Sequence, residues 1–539
     1  MTPTQAGPLL LCGLAIAAAL APAPARPEEP ATPAGEPTAA PEAPPPPPEG
    51  LKRALYLPEA ARARLKDDLK EEVLTQARRE GWATPGVVPA WLRRLTLSGD
   101  VRVRLERDLP GSGNANSGEF PDFNAINAGQ PFDVNFVDTA SERYLNVDQR
   151  RTRPRLRARL ALDYDLGQGF FSGVRLASGD GSTPISTNQT LGGSGGNFSK
   201  YQLWLDRAYL RYAPLLELIT LSVGRFDNPF LHTDLTWSEN VNLDGLAARG
   251  RLSLFEGVRF VWAGGAFPVF TTDLAFPAER TDKFKSLDKW LLAAQLGATW
   301  QPSIDFLAKL SVGWFDFRHV QGRVSAPCDT NLKGFACDTD PSRPSFAQKG
   351  NTYMAIRTPS AKALQAEATG LVPRYQYFGL ASRFEELVLT AQLDATLGES
   401  LRVLLDAEAV RNLGFSRRAI SAVALNNLDQ CDANGNCARF AGGQDGWLTK
   451  LTLATLNQEV LGSWNVSVGY RVLSSDAVVD AFTDSDFGLG GTNLKGYVIG
   501  AGVAIGDNVW AGLRWFSADS VVGPTYQVDV LQLDCSARF

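Results

Sequence analysis

From Leu95 onward the chain alternates apolar and polar residues with a period of two. In "LTLSGDVRVRL", Leu95, Leu97, Gly99, Val101, Val103 and Leu105 share one face, and Thr96, Ser98, Asp100, Arg102 and Arg104 share the other. Period two marks a strand with one apolar face. In "RPRLRARLALDY", Leu156, Ala158, Leu160 and Leu162 oppose Arg153, Arg155, Arg157 and Arg159. A row of arginines cannot face a dry core. It faces water, so the opposite row contacts something apolar.

The same pattern predicts sixteen strands, at 94–107, 150–166, 169–178, 201–213, 217–226, 243–252, 256–264, 289–301, 304–319, 384–397, 400–412, 447–457, 461–473, 493–506, 509–519 and 526–539. Short connectors such as "GQG" (167–169) and "GDN" (506–508) alternate with mostly long ones, up to 320–383. Short turns therefore gather at one end and long loops at the other. A soluble sandwich has no reason to keep that rule. A closed, antiparallel, up-and-down membrane barrel does, because lipid tolerates no open strand edge. In "YQLWLDRAYLRY" the apolar phase shifts near Asp206–Arg207, which predicts a bulge. The region 372–383 offers an extension of the tenth strand.

Before the strands the pattern is different. Leu9 to Ala21 is a short apolar core, followed by a small-residue cleavage site, so residues 1–25 read as an export signal. Residues 26–50 are Pro-rich and form a disordered spacer. Residues 51–93 form a periplasmic segment with a helix over 58–81, whose stripe is Leu65, Leu69, Val73 and Ala77. That stripe fits a solvated helix packed on a neighbour or a short coiled coil between protomers. The barrel takes 94–539.

Several segments also look familiar. "SGDVRVRLERD" (98–108), "RTRPRLRARLALDYDL" (151–166), "LDRAYLRYAP" (205–214), "VGRFDNPF" (223–230) and "LDGLAARG" (243–250) resemble, in this order, the putative porin family of bacterial outer-membrane proteins. The resemblance implies a barrel in the outer membrane of a Gram-negative bacterium and passive transport. It brings no defined functional residues.

Composition narrows the chemistry. Only 2 of 539 residues are His, and the net charge of -5 points to no nucleic-acid partner. Neither His232 nor His319 stands in a Ser or Asp constellation, so the chain does not read as an enzyme. No cofactor is expected. "CDANGNC" has a calcium-like spacing, but a polar turn closed by a disulfide explains it more simply. Cys328 with Cys337 and Cys431 with Cys437 read as two local loop disulfides in an exported chain.

The expected pore lining follows from phase. Arg102, Arg104, Arg153, Arg155, Arg157, Arg159, Arg175, Arg249, Arg251 and Arg259 fall on the polar face of the first seven strands. Later strands turn Thr390, Gln392 and Asp394, then Arg402, Asp406 and Glu408, inward. Sixteen strands enclose a lumen too wide for wall side chains to fill. A basic wall facing a more acidic one would set a field across the channel. The plain alternative is that the arginines only solvate the wall or pair with acids. Either 320–383 or 108–149 could fold inward to narrow the bore.

These readings describe an outer-membrane porin, monomeric or trimeric, passing small hydrophilic and anionic solutes. The alternative is a structural barrel that anchors the envelope through its N-terminal arm. The chain ends in "LQLDCSARF", whose apolar row Leu531, Leu533, Cys535, Ala537 and Phe539 would face lipid. A terminal Phe at the periplasmic boundary resembles the signal that barrel-assembly machinery reads.

Overall fold

A computed structural model describes residues 91–539 apart from 194, 216–217, 399, 430–438 and 459, together with residues 71, 72 and 75. The expected export signal, the Pro-rich spacer and the pair Cys431 and Cys437 lie outside the described residues, as does all of the 58–81 helix but three positions. Those three are helical, and the Thr75 hydroxyl donates to the Glu71 carbonyl at 2.7 Å.

Sixteen long strands form the wall among the described residues. The first seven are β1 (Leu95–Pro110), β2 (Arg151–Gly167), β3 (Phe170–Ala177), β4 (Trp204–Leu215), β5 (Ile219–Asp227), β6 (Asn242–Phe255) and β7 (Val258–Phe270). Next come β8 (Lys289–Ser303), β9 (Phe306–Arg318), β10 (Phe384–Leu397), β11 (Leu401–Asn412) and β12 (Asp445–Thr455). The last four are β13 (Trp464–Leu473), β14 (Leu494–Gly506), β15 (Val509–Ser520) and β16 (Gln527–Arg538). Each pairs antiparallel with its neighbours in sequence. β1 pairs with β16 as well as β2, with Val103 opposite Cys535, and this closes the barrel.

Alternation places apolar rows outside. Leu97, Val101, Val103, Leu160, Leu296, Val312 and Val468 are all exposed, as a lipid-facing wall requires. Trp290 and Trp300 stand exposed near the two ends of the outward row of β8. Ten residues at about 3.3 Å each, tilted about 40°, span about 25 Å, the height of a lipid-facing band. Among the described residues no helix is long and apolar enough to cross a membrane.

The bulge falls where the phase shift predicts it. Arg175 pairs with Arg207 but Leu176 with Leu205, so Asp206 is the extra residue. The bulge turns its carboxylate inward, where it holds Arg175 Nε at 2.5 Å and accepts from Asn242 Nδ2 at 2.7 Å. The region 372–383, by contrast, does not extend the tenth strand. Tyr375–Gln376 pairs with Phe132–Asp133, and Phe378–Leu380 with Tyr353–Ala355. The second pairing folds the long connector on itself before β10 begins, and the first ties it to the connector between β1 and β2.

Connectors narrow the lumen, and more of them fold inward than the two expected. Phe123, Ile126, Phe230, Leu235, Trp237, Tyr353, Ile356, Phe378, Val478 and Val479 all come from connectors. They join the inward wall residues Phe226, Phe267, Leu291, Phe315 and Val410 in one buried cluster. Wall side chains alone could not fill the bore; infolded loops fill much of its long-connector half. The 319–383 connector is strapped to the 474–493 connector by side-chain donors. Asn351 Nδ2 reaches the Ser475 and Val478 carbonyls at 2.6 and 2.9 Å, and Lys349 Nζ the Gly488 and Gly490 carbonyls at 2.6 and 2.7 Å. Cys328 and Cys337 are disulfide-bonded in the same 319–383 connector.

Candidate functional site in the barrel lumen

The segment that crosses the bore is 228–241, between β5 and β6. It reaches β8 and, farther round the wall, β10, β11 and β13. Gln295 on β8 accepts from Leu231 N at 2.7 Å and donates to Leu231 O at 2.8 Å. Glu408 on β11 accepts from Thr233 N at 2.8 Å, Thr236 N at 3.2 Å and Thr236 Oγ1 at 2.6 Å. Thr390 on β10 donates its hydroxyl to the same carboxylate at 3.0 Å. Arg471 on β13 donates to Asp234 O at 3.1 Å. The connectors 320–383 and 108–149 pack inward too, but neither was the whole answer: the cross-lumen strap is the third long connector. Its sequence, with small polar Thr and Asn residues around Trp237, carries no signal of that role by itself.

The arginine row faces the lumen beside this strap. Register between β1 and β2 sets Asp108 opposite Arg151, Glu106 opposite Arg153 and Asp100 opposite Arg159. Between these opposite-charge pairs lie Arg104 opposite Arg155 and Arg102 opposite Arg157. Like charges directly opposite repel, so partners must come from elsewhere. Arg104 holds Asp534 of β16 at 2.6 Å and Asp486 of the 474–493 connector at 2.9 Å. Arg157 holds Asp100 at 2.8 Å and Glu239 of the 228–241 strap at 3.6 Å. Arg155 holds Glu106 at 3.0 Å, and Arg159 holds Asp100 at 2.5 Å. Arg102 meets an amide: its Nη2 donates to Asn188 Oδ1 at 2.7 Å. Among the described residues no carboxylate stands at ion-pair distance from Arg102. Most of the row is therefore compensated by wall acids on the same polar face of β1, which share the period-two parity of Arg102 and Arg104 and could have been read with them.

Nearer the short-turn end, Arg249 and Arg251 line a cavity of about 1090 Å³ with Arg94, Asp163, Tyr209 and Arg211. Tyr209 donates to Asp163 at 2.8 Å, and Arg211 holds Asp227 at 3.2 Å. Arg259 lies on the inward face of β7, opposite Ser253 of β6. Among the described residues neither Arg249 nor Arg259 has a carboxylate at ion-pair distance.

The expected acidic wall is built differently from the sequence expectation. Asp394 pairs with Arg402 across β10 and β11, Nε to Oδ1 at 2.8 Å. Asp406 takes Lys450 at 3.6 Å and Gln392 Nε2 at 3.1 Å. Glu408 is 3% exposed and spends its oxygens on the strap, so it anchors a loop and does not line the water path. Besides the wall acids Asp100, Glu106, Asp108 and Asp534, two connector carboxylates meet the arginine row. Glu239 is 67% exposed, and Asp486 bridges Arg104 and Arg514, the latter at 3.1 Å. Burial alone would raise the Asp486 carboxyl, but Arg104 and Arg514 beside it hold it well below the usual carboxylate range. For neighbouring Asp484, burial with Asp486 and Asp234 close by outweighs Arg471 and pushes it up to about 7. Strand phase cannot find loop acids, because their placement depends on how the loops fold.

Phe539 sits at the β1 seam. Its backbone exchanges hydrogen bonds with Gly99 at 2.9 and 3.1 Å, and a Cβ on Gly99 would collide with its ring. Cys535 is exposed on the outward row beside it.

The family described as "Putative porin" matches residues 11–539. No curated protein matches the sequence. Among solved structures, the outer membrane channel DcaP of Acinetobacter baumannii is similar at 11% identity, covering 83% of this chain and 97% of that one, with a TM-score of 0.39. Pseudomonas putida OprB at high pH is similar at 10% identity, with 83% and 95% coverage and a TM-score of 0.40. Salmonella typhi OmpF in complex with daunomycin gives 12%, 83%, 97% and 0.36.

Proposed function

The chain belongs to the putative porin family, and from that premise we propose that it is an outer-membrane channel for small hydrophilic anions. The observation that carries the anion preference is the excess of arginines over acids on the lumen face of β1 and β2, where register sets Arg102 and Arg104 against Arg157 and Arg155 and, among the described residues, Arg102 has no carboxylate at ion-pair distance. A fixed positive wall in a confined space concentrates anions and repels cations. The solute moves by diffusion, and no covalent chemistry is needed. The outer membrane is the site of action, with the short turns, the N-terminal arm and Phe539 on the periplasmic side. Residues 1–25 serve as the export signal, 26–50 as the spacer and 51–93 as the periplasmic segment. Phe539 is the residue for the assembly machinery. A homotrimer would pack through the outward row of β1, where Val101 and Val103 are exposed beside the Phe539 ring on Gly99.

Reversal potential in a salt gradient, measured on the purified chain in planar bilayers, tests this reading. A potential of the anion-selective sign supports it; a cation-selective sign overturns the preference. A second reading is favoured by the loop core inside the barrel: a plugged structural barrel that anchors the envelope. Absence of any conductance step would favour that reading over the channel.

A further inference from the structure

The long-connector end of the lumen holds a second cavity, of about 680 Å³, roofed by the connector between β3 and β4. We propose that it binds a small solute with one anionic group on a polyhydroxylated body, a sugar acid or a sugar phosphate, before that solute passes the arginine block. The inference rests on the channel reading above and names the solute class for it.

One side of the cavity is a rack of guanidinium groups. Arg151, Arg153 and Arg155 stand at every second position of β2, so successive ones rise about 6.6 Å along one face. Their acids lie behind them. Glu106 and Asp108 on β1 are only 2% and 1% exposed, and they hold Arg153 at 2.5 Å, Arg155 at 3.0 Å and Arg151 at 3.1 Å. The arginines themselves stay 36%, 27% and 14% exposed, from Arg151 to Arg155. A solute in the cavity therefore meets oriented cationic donors, while the compensating carboxylates are sealed against the wall. Such fixed forks suit a carboxylate or phosphate head.

The other side is neutral and polar. Thr183, Ser186, Asn188 and Gln202 line it, with Lys200 adding a cation. Asp180 also lines it, but its carboxylate is engaged by Ser182 N and Oγ at 3.0 and 2.9 Å. Counting Arg151, Arg153, Arg155 and Lys200 against Glu106, Asp108 and Asp180 leaves one positive charge. One net charge with a hydroxyl- and amide-lined wall matches a single anionic head on a hydroxylated body better than a bare inorganic ion or a neutral sugar. Trp204, fixed by its Nε1 donating to Gly179 O at 2.9 Å, closes one edge.

Single-channel recording of the full chain tests the proposal with gluconate, glucose 6-phosphate, glucose and propionate at equal concentration. Gluconate and glucose 6-phosphate are expected to interrupt the current with residence times at least tenfold longer than glucose or propionate. Their relative order separates the carboxylate source from the phosphate source. Arg153→Ala should shorten that residence about tenfold, the loss of one charge-assisted contact. Gln202→Ala, on a connector and outside the buried ion pairs, should shorten it severalfold with potassium chloride conductance unchanged. Equal residence for all four probes, or no response to either variant, would overturn the site. Loss of conductance in potassium chloride alone would strike the channel reading instead. Calorimetric titration of the detergent-solubilised chain with gluconate then decides the site by itself, heat of binding supporting it and none refuting it.

Discussion

At the scale of residues, the question is which charges remain after pairing. Carboxylates and arginines crowd the meeting of β1, β2, β16 and two connectors, and simple parity would make the whole arginine row count equally. Pairing makes it unequal. Arg159 shares Asp100 with Arg157, whereas Arg102 faces Asn188. Arg102→Ala is therefore expected to lower the anion-to-cation permeability ratio roughly threefold, and Arg159→Ala to change it less, since Asp100 keeps Arg157. Reversal potentials in one salt gradient compare the two directly; equal effects would show that pairing does not grade the wall. At the seam, Gly99→Val should displace the Phe539 ring and slow barrel assembly as much as deletion of Phe539 does. Heat-modifiable mobility on gels after refolding into liposomes reads both.

At the scale of elements, the strap 228–241 depends on acceptors carried by strands. Glu408 receives three donors from it and one from Thr390. Glu408→Ala leaves them unpaired, at about 1–3 kcal/mol for each buried orphan that water cannot reach. The expected result is a looser strap: noisier open-channel current and amide exchange across 231–237 faster by at least about tenfold. Glu408→Gln keeps one carbonyl acceptor and should fall between. Unchanged exchange in both variants would mean that the aromatic packing of Trp237 with Phe315 and Phe317 holds the strap unaided.

At the scale of the whole molecule, the loop core has a pH dependence. Burial raises Asp480 and Asp484 in the 474–493 connector to about 7, and Asp476 to about 6. The unfolded carboxyls titrate near 3.9. Between about 4 and 7 the folded state thus binds more protons than the unfolded one, and stability falls as pH rises through that window. The loop core is expected to be firmer at pH 5 than at pH 8, with less amide exchange across 474–493. Exchange that is slower at pH 8, after correction for intrinsic rates, would contradict this.

Strand count, the alternation of turns and loops, the inward row of arginines and the bulge at Asp206 were all legible in the chain, because a strand's side chains alternate without reference to anything distant. The acids at Asp100, Glu106 and Asp108 were equally legible by parity. The rest required tertiary structure. Closure set β1 against β16, which brought Asp534 to Arg104 across 430 residues. Loop packing chose 228–241 as the strap, removed Glu408 from the water path and delivered Glu239 and Asp486 to the arginines. A connector's path is fixed by contacts far from it in sequence, so periodicity carries no record of it.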